Sequence, residues 1–198
     1  MPEKKLFPLT RAAKAEQTKL KIVEAAAACF IAKGFHQSSM RDIANTAGVS
    51  LGNLYNHFEN KQDLIMAFAS FEEEENADLL KLLEKKDDKD TCFEAFLAQY
   101  FDQTFQSDNA VLAVEIFSEA MRNKEIHEIF EENRQKVSRG FAAFLKAWKK
   151  SEEEEVLALK ADFILDLVEG AALRYALNGD EPSSGEKEAL LNAARAIL

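Results

Sequence analysis

Between residues 39 and 61 the sequence carries polar side chains that are suited to hydrogen bonding with phosphates and with the edges of bases. Ser39 can bond to a phosphate, Arg41 to a guanine edge or a phosphate, and Asn53 to an adenine edge. Lys61 combines a cation with the free backbone N–H groups expected at the start of a helix, which suits a phosphate. This spacing favours recognition of a polyanion.

The charge of the chain is unevenly distributed along its length. The 198 residues have a net charge of −10. Residues 1–61 contain nine Lys or Arg and five Asp or Glu, which gives a net charge of +4. The remainder contains sixteen Lys or Arg and thirty Asp or Glu, which gives a net charge of −14. We therefore expect only the first segment to meet a nucleic acid.

Two helices are predicted before residue 48. The first covers about residues 14–33 from its four-residue apolar repeat, and Gly34 is expected to be its C-cap because glycine adopts the left-handed conformation without strain. A second, short helix is predicted over 39–47. Either Ser38 or Ser39 can cap it, and Ser39 with Asp42 approximates a capping box.

A further short helix is predicted over 51–58, after Gly48 and with Ser50 as its N-cap. Leu54 and Phe58 are expected to anchor it to the core. Two helices of about two turns, separated by three or four residues with glycine in the turn, form a helix-turn-helix.

In such a motif the second helix lies in the major groove, and its N-terminal turn reaches the bases. Leu51 is then placed to meet a thymine methyl group, Asn53 to bond a base, and Gly52 to let the backbone approach closely. Tyr55 and His57, near the end of the helix, are suited to phosphates. Structural alternatives remain for several residues: an ion pair of Arg41 with Asp42 or Glu59, packing of Tyr55, a structural role for His57, and a simple helix-start charge for Lys61.

An enzymatic function is not indicated. The histidines at 36, 57 and 127 do not pair by spacing with either cysteine, and no nucleophile triad, glycine-rich phosphate loop or metal-ligand cluster is found. We expect no cofactor and no metal. The alternative to DNA binding is a helical carrier of small molecules, and an architectural or activating role in DNA binding is a further one.

No membrane association is expected, because no apolar run approaches the roughly 18 residues of a membrane span. The N-terminus lacks the apolar region of a secretory signal, and the two cysteines form no disulfide framework. These features predict a cytoplasmic protein.

The remainder of the chain is predicted to be helical, because seven glycines and three prolines are too few for a loop-rich β fold. A long helix is predicted from residue 61, and Ser151 is expected to cap a later one. The other predicted helices lie near 91–106, 109–122, 124–150, 155–179 and 185–197.

Aromatic residues are abundant between positions 91 and 150, and most are expected to form the core. Some of them are candidates for an apolar pocket between helices. The predicted pocket residues are Phe101, Phe105, Phe117, Met121, Trp148 and Tyr175.

The last two helices are predicted to form a homodimer interface, in which two helices from each subunit make a four-helix bundle. The alternative is that they pack only within the chain. The predicted apolar face comprises Phe163, Ile164, Leu167, Ala171, Ala172, Tyr175, Leu190, Leu191, Ala194 and Leu198.

Residues 34–61 with their flanks resemble the DNA-binding signature of the TetR/AcrR family of transcriptional regulators. About fifty residues, roughly 14–64, match in order and spacing, whereas the rest of the chain matches only in length and helical character. The matching pieces are Gly34-Phe, Ser38-Ser-Met-Arg-Asp-Ile-Ala, Ala47-Gly-Val-Ser, Asn53-Leu-Tyr and His57-Phe-Glu-Asn-Lys-Gln-Asp-Leu.

The resemblance implies an all-α fold of about nine helices, with three in a DNA-binding domain over 1–62 and about six in a ligand-binding and dimerisation domain over 63–198. It also implies a homodimer that binds a palindromic operator in double-stranded DNA, most often as a repressor. A small-molecule effector is expected to release this homodimer from the DNA. Family positions that commonly contact DNA match Arg41, Leu51, Gly52, Asn53, Tyr55, His57 and Lys61.

Overall fold

The computed structural model describes residues 11–85, 87–180 and 182–198. Every regular element in these residues is an α-helix, which confirms the predicted all-α class and the expected number of helices. The helices are α1 (Arg11–Lys33), α2 (Met40–Ala47), α3 (Leu51–Tyr55), α4 (Lys61–Lys81), α5 (Lys89–Thr104), α6 (Ser107–Ala120), α7 (Lys124–Trp148), α8 (Glu154–Asn178) and α9 (Ser184–Ile197).

The chain divides into two compact units, one ending at Phe68 and the other running from Ala69 to Leu198. The division falls within α4, a little beyond the boundary that the sequence predicts between residues 62 and 63. We call the first of these units the N-terminal unit and the second the C-terminal unit.

The N-terminal unit is built around apolar side chains of α1, α2, α3 and the start of α4. Ile22, Ile43, Leu54 and Leu64 are fully buried. Phe30 packs edge-on against Phe68, with ring centroids 6.0 Å apart. This core holds the two short helices of the predicted helix-turn-helix.

The ends of α1 and α2 and the start of α3 follow the predicted signals, whereas α1 already includes residues 11–13, before the predicted start near residue 14. Gly34 and Gly48 both have a positive φ, and Gly48 forms the C-cap of α2. However, α3 ends at Tyr55 and not at Phe58. The amides of His57 and Phe58 both bond back to the Leu54 carbonyl, which closes a tight turn and brings the Phe58 ring into the core.

The C-terminal unit has an aromatic core between α5, α7 and α8. Phe96 stacks on Phe141 at 4.7 Å between centroids, and Phe93 stacks on Phe141 at 6.1 Å. Leu157, Ile164 and other apolar residues of α8 complete this core.

The N-cap of α8 differs from the prediction. The helix begins after Glu153, which makes no capping hydrogen bond through its side chain, whereas Ser151 lies in the preceding turn. The prediction that Ser151 caps the helix is therefore wrong. The acidic residues Glu154 and Glu155 still occupy the first turn, where they interact favourably with the helix dipole.

The predicted apolar face of α8 and α9 is largely used within the chain. Ile164, Ala172 and Ala194 are buried in the core of the C-terminal unit, and the partly buried members of the face that pack against this core are Ala171, Tyr175, Leu190, Leu191 and Leu198. Phe163, in contrast, is 60% exposed. Most of that face therefore packs within the chain, where α8 contacts α5, α6, α7 and α9.

Candidate nucleic-acid interface

The start of α2 is held by the predicted capping box. The Asp42 amide donates to the Ser39 hydroxyl, and the Ser39 amide and hydroxyl both donate to the Asp42 carboxylate, at 3.0 and 2.6 Å. These bonds, with the ammonium of Lys33 at 3.3 Å, lower the pKa of Asp42 to about 2. Ser39 is exposed but is already bonded to Asp42 in this structure.

Arg41 lies one residue into α2 and is exposed. Neither Asp42 nor Glu59, the two acidic partners considered from the sequence, binds Arg41. Asp42 pairs with Lys33 instead. Among the residues that the structure describes, Arg41 forms no ion pair or hydrogen bond. Its guanidinium is therefore available to a ligand.

Helix α3 presents its polar residues outward because Leu54 is fully buried beneath it. Gly52 and Asn53 are exposed in its first turn, and Tyr55 is 49% exposed. The Ser50 hydroxyl accepts the Asn53 amide at 3.1 Å, as predicted for an N-cap, so the Asn53 side chain is not used in capping.

Leu51 and His57 are half-buried at the two ends of this short segment. Leu51 is the first residue of α3, and His57 follows its last turn. The structure thus brings Leu51, Gly52, Asn53 and Tyr55 together on α3, with His57 immediately after.

Lys61 has a set of partners that the sequence does not reveal. It is the first residue of α4, and its Nζ lies 2.5 Å from the carbonyl oxygen of Phe35 and 3.4 Å from that of His36. The ammonium also lies 4.3 Å from the centroid of the Phe35 ring. No local signal predicts a contact between residues 26 positions apart.

Ser38 holds the turn between α1 and α2 from its other side. The sequence suggested Ser38 only as an alternative N-cap of α2, a role that Ser39 takes. The Ser38 hydroxyl is buried and lies 2.9 Å from the carbonyl oxygens of both Cys29 and Gly34. Two sets of hydrogen bonds therefore hold the turn that precedes α2. Ser38 bonds it to the end of α1, and Lys61 bonds it to the start of α4.

The six predicted pocket residues do not surround a single cavity in the described part of the C-terminal unit. Phe101 and Phe105 are buried, and Phe105 packs against Tyr175 at 5.6 Å between centroids. Trp148 packs against Phe93 and Phe144 instead. Phe117 and Met121 are 55% and 80% exposed.

Two open clefts border α9. The larger has a volume of about 520 Å³ and is lined by Tyr175, Arg174 and Glu186 among others. The smaller, of about 190 Å³, is lined by Phe101 and Leu191 among others. Each cleft includes one of the predicted pocket residues.

A buried polar cluster links α4 to α7 in the C-terminal unit. The Asn133 amide, which is 2% exposed, donates to the Ala69 carbonyl at 2.8 Å and to the Glu72 carboxylate at 3.0 Å. Burial raises the pKa of Glu72, and the negative charges of Glu169 and Glu75 raise it further. The hydrogen bond from Asn133 lowers the pKa but does not cancel this rise. The carboxylate of Glu72 is thus held in an unfavourable environment.

A second part of this cluster joins α5, α7 and α8. The Tyr100 hydroxyl donates to Glu169 at 2.5 Å, and burial together with the charge of Glu169 raises the pKa of Tyr100 well above its usual value. Arg134 bridges Asp162, Asp166 and Glu169.

The described residues contain no group of three or more His, Cys, Asp or Glu arranged to hold a metal ion. No helix within the described ranges is long and apolar enough to cross a membrane.

Comparison with protein families and known proteins identifies both parts of the chain. Residues 22–68 match the family described as "Bacterial regulatory proteins, tetR family". Residues 92–197, more than half of the chain, match "BetI-type transcriptional repressor, C-terminal".

Among curated proteins, the chain is 34% identical to the regulator TtgR of Pseudomonas putida over 91 residues, which are 45% of this chain and 43% of TtgR. The match therefore spans less than half of the length of that relative. Against the regulator UidR of Escherichia coli the identity is 28% over 160 residues, or 79% of this chain and 80% of UidR.

Solved structures share the fold. A TetR-family regulator from Mesorhizobium loti superposes with a TM-score of 0.76 at 20% identity, covering 96% of this chain and 98% of the other. For GusR of Salmonella enterica the TM-score is 0.69 at 23% identity, with the same coverage. With the family matches over both units, these findings show that the chain belongs to the TetR family of bacterial transcriptional regulators and is not an enzyme.

Proposed function

We propose that this regulator is a cytoplasmic repressor that binds a palindromic DNA operator as a homodimer and is released by a small molecule. The observation that carries the DNA contact is the exposed first turn of α3, presented over buried Leu54, with the available guanidinium of Arg41 on α2. The repressor role is supported by the match of the C-terminal part to a family described as a transcriptional repressor.

The contacts divide by chemistry. Asn53 and Leu51 reach base edges, Gly52 allows the backbone to come close, and Arg41 binds a guanine edge or a phosphate. Ser39, Tyr55 and His57 bind phosphates and so set the register of the protein on the duplex. Ser39 can bind a phosphate without losing its cap, because its hydroxyl proton can turn from the Asp42 carboxylate to the phosphate while its oxygen still accepts the Asp42 amide.

The sequence preference is tested by selecting bound duplexes from a random pool. We expect an inverted repeat whose half-sites are centred about 34–36 Å apart, one helical turn or a multiple of it. Asn53→Ala should broaden the selected motif at one position in each half-site. A protein that enriches no sequence and binds no duplex at low salt contradicts the DNA-binding proposal and supports the carrier alternative.

The homodimer is supported by an apolar stripe on α8 that the core leaves exposed. Val156, Leu159, Phe163, Leu173 and Leu177 are each at least 40% exposed and recur at the spacing of one helix face. Gly170 lies between them, and a Cβ added there would have no atom within 4 Å. An apolar stripe of this length with a small residue at its centre suits close packing against the same helix of a second copy.

Analytical ultracentrifugation tests the dimer at micromolar concentration. Phe163→Glu should convert the protein to monomers while keeping its helical content, because a charge placed in an apolar interface is costly. Met121→Glu, at an exposed position following α6, is the matched control and should stay dimeric. A wild-type monomer, or dissociation by Met121→Glu alone, contradicts an interface on α8.

Release by an effector requires a ligand that prefers the conformer with lower operator affinity. The cluster of Phe101, Phe105 and Tyr175 and the neighbouring clefts support a site in the C-terminal unit. In a thermal-shift screen, a true effector must raise the melting temperature of the free protein and must also weaken operator binding. A compound that binds without weakening operator binding contradicts this mechanism.

Repression is separated from activation by a reporter gene placed behind the selected operator. Co-expression of the regulator should lower transcription of the reporter, and Arg41→Ala should restore it. An increase of transcription on co-expression shows an activator instead.

A further inference from the structure

The ammonium of Lys61 occupies a cage of acceptors in the N-terminal unit. Two carbonyl oxygens, those of Phe35 and His36, lie at 2.5 and 3.4 Å, and the Phe35 ring covers the ammonium at 4.3 Å. These carbonyls follow the C-terminal end of α1, where the helix dipole places negative potential. The cation is therefore stabilised by the protein itself.

This interaction closes the chain on both sides of the helix-turn-helix. Residues 35 and 36 lie in the turn before α2, and Lys61 begins the helix after α3, so the bonds join the two ends of the segment that carries α2 and α3. Ser38 fixes the same turn onto the end of α1 through the Gly34 and Cys29 carbonyls. The position of Arg41 then depends on a turn that Lys61 holds.

Binding of a phosphate by Lys61 would require its ammonium to leave the carbonyls or to share them. A buried or half-buried carbonyl that loses a charged donor is left with an unmet hydrogen bond, which is costly. Arg41 carries no such cost, since its guanidinium has no partner among the described residues and is exposed.

We infer that Lys61 is a positioning residue, which fixes the turn before α2 and so orients the DNA-contacting residues, and that it is not itself a phosphate ligand. The inference rests on the proposed DNA binding. It replaces the role that the sequence and the family resemblance suggest for this position.

The test compares Lys61→Met with Arg41→Met, two variants that each remove one cation from the same unit. Operator affinity is measured against salt concentration, at a temperature well below the melting temperature of each variant. The slope of log K against log[salt] falls by about 0.9 for each phosphate that a variant no longer neutralises.

For Lys61→Met we expect roughly tenfold weaker binding at every salt concentration, an unchanged slope and a lower melting temperature. For Arg41→Met we expect an unchanged melting temperature, and a slope lowered by about 0.9 if Arg41 binds one phosphate. Hydrogen exchange without DNA adds an independent measurement: amides of residues 34–38 should exchange faster in Lys61→Met and not in Arg41→Met.

A slope lowered by about 0.9 in Lys61→Met overturns the inference, because it identifies Lys61 as a phosphate ligand. Affinity that is unchanged despite a lower melting temperature also overturns it, since Lys61 would then only stabilise the fold. If Lys61→Met does not fold, Lys61→Gln is judged by the same slope. If the wild-type protein binds no duplex, the proposed function fails, and unchanged exchange at residues 34–38 is then the result that overturns the inference.

Discussion

The two units of the molecule bond their polar side chains over different distances along the chain. In the N-terminal unit most of these bonds are local: Ser39 with Asp42, and Ser50 with the amide of Asn53, are three residues apart. In the C-terminal unit Asn133 bonds to a residue 64 positions away. Local bonds form together with one helix turn, whereas the distant ones exist only after several helices have packed.

The two kinds of hydrogen bond contribute differently to the stability of the two units. A cap contributes about 1 kcal/mol, and both of its bonding partners lie within one helix turn. A buried amide or carboxylate is costly unless its partner on another helix is in place, so the polar cluster of the C-terminal unit makes its helix packing specific. We expect substitutions in the two units to differ accordingly in size and in coupling.

The largest effect is expected for Asn133→Leu. Removal of the amide leaves the Ala69 carbonyl and the Glu72 carboxylate without their buried donor, which should cost about 2–3 kcal/mol in the free energy of unfolding. Urea denaturation of the full chain measures this. Lys136→Met is the matched control, because Lys136 also links α7 to α4 through Glu73 but at the surface, and it should change stability much less than Asn133→Leu does.

A double-mutant cycle with Glu72→Leu completes this test. Because the carboxylate that Asn133 satisfies is then absent, the double variant should lose less stability than the sum of the two single variants. Strict additivity would show that Asn133 and Glu72 are not energetically coupled.

A smaller effect is expected for Ser39→Ala. Loss of the hydroxyl removes the cap of α2 and should lower the free energy of unfolding by about 1 kcal/mol. Because the bond is local, Ser39→Ala and Ile43→Val should be nearly additive, in contrast to the Asn133 and Glu72 pair. A coupling above about 0.5 kcal/mol between them would contradict the local character of the cap.

The pH dependence should have opposite signs in the two units. The pKa of Asp42 in the folded protein is about 2, below the ordinary value of 3.8, so its contribution is complete at neutral pH and is lost as the pH falls from about 4 to about 2. Asp42→Asn should therefore melt at a lower temperature than wild type at pH 7. The gap between the two melting temperatures should narrow over that acidic range.

The smallest effect is expected for Glu72→Gln. Because folding raises the pKa of Glu72, the carboxylate destabilises the folded protein above that pKa, and this cost disappears as the pH falls toward 4.5. The variant should melt at a slightly higher temperature than wild type at pH 7.5, with the difference shrinking on acidification. A variant that is less stable than wild type at pH 7.5 would show that the hydrogen bond from Asn133 outweighs desolvation.

The elements were largely predictable from the sequence, because their signals are local. The capping box of Ser39, the cap of Ser50 and the left-handed glycines 34 and 48 all act within four residues, and they place the end of α1, both ends of α2 and the start of α3 correctly. The end of α3 was not predictable in the same way, because the burial of Phe58 decides it. The exposed polar residues of α3 follow from the same local pattern.

The arrangement of the C-terminal unit was decided by packing between distant helices. Six aromatic or apolar residues suggested one pocket, yet the structure buries Phe101 and Phe105, and leaves Phe117 and Met121 exposed. Similarly, most of the apolar face of α8 and α9 that the sequence suggested for dimerisation packs within the core of the C-terminal unit. Helical periodicity shows which residues form the apolar face of a helix, but it does not show which other helix covers that face.

Short-range spacing was enough to predict the class of the fold, the family and the residues of the candidate DNA surface, because it encodes caps, turns and the helix-turn-helix. Which of those residues already have partners within the protein depends instead on how the helices of the N-terminal unit pack. Arg41 and Lys61 are both cations within this segment, but the fold places two carbonyls and a ring around Lys61 and leaves Arg41 exposed. The physical reason is that an interaction across 26 residues depends on how α1 and α4 pack, which no local pattern of residue types specifies.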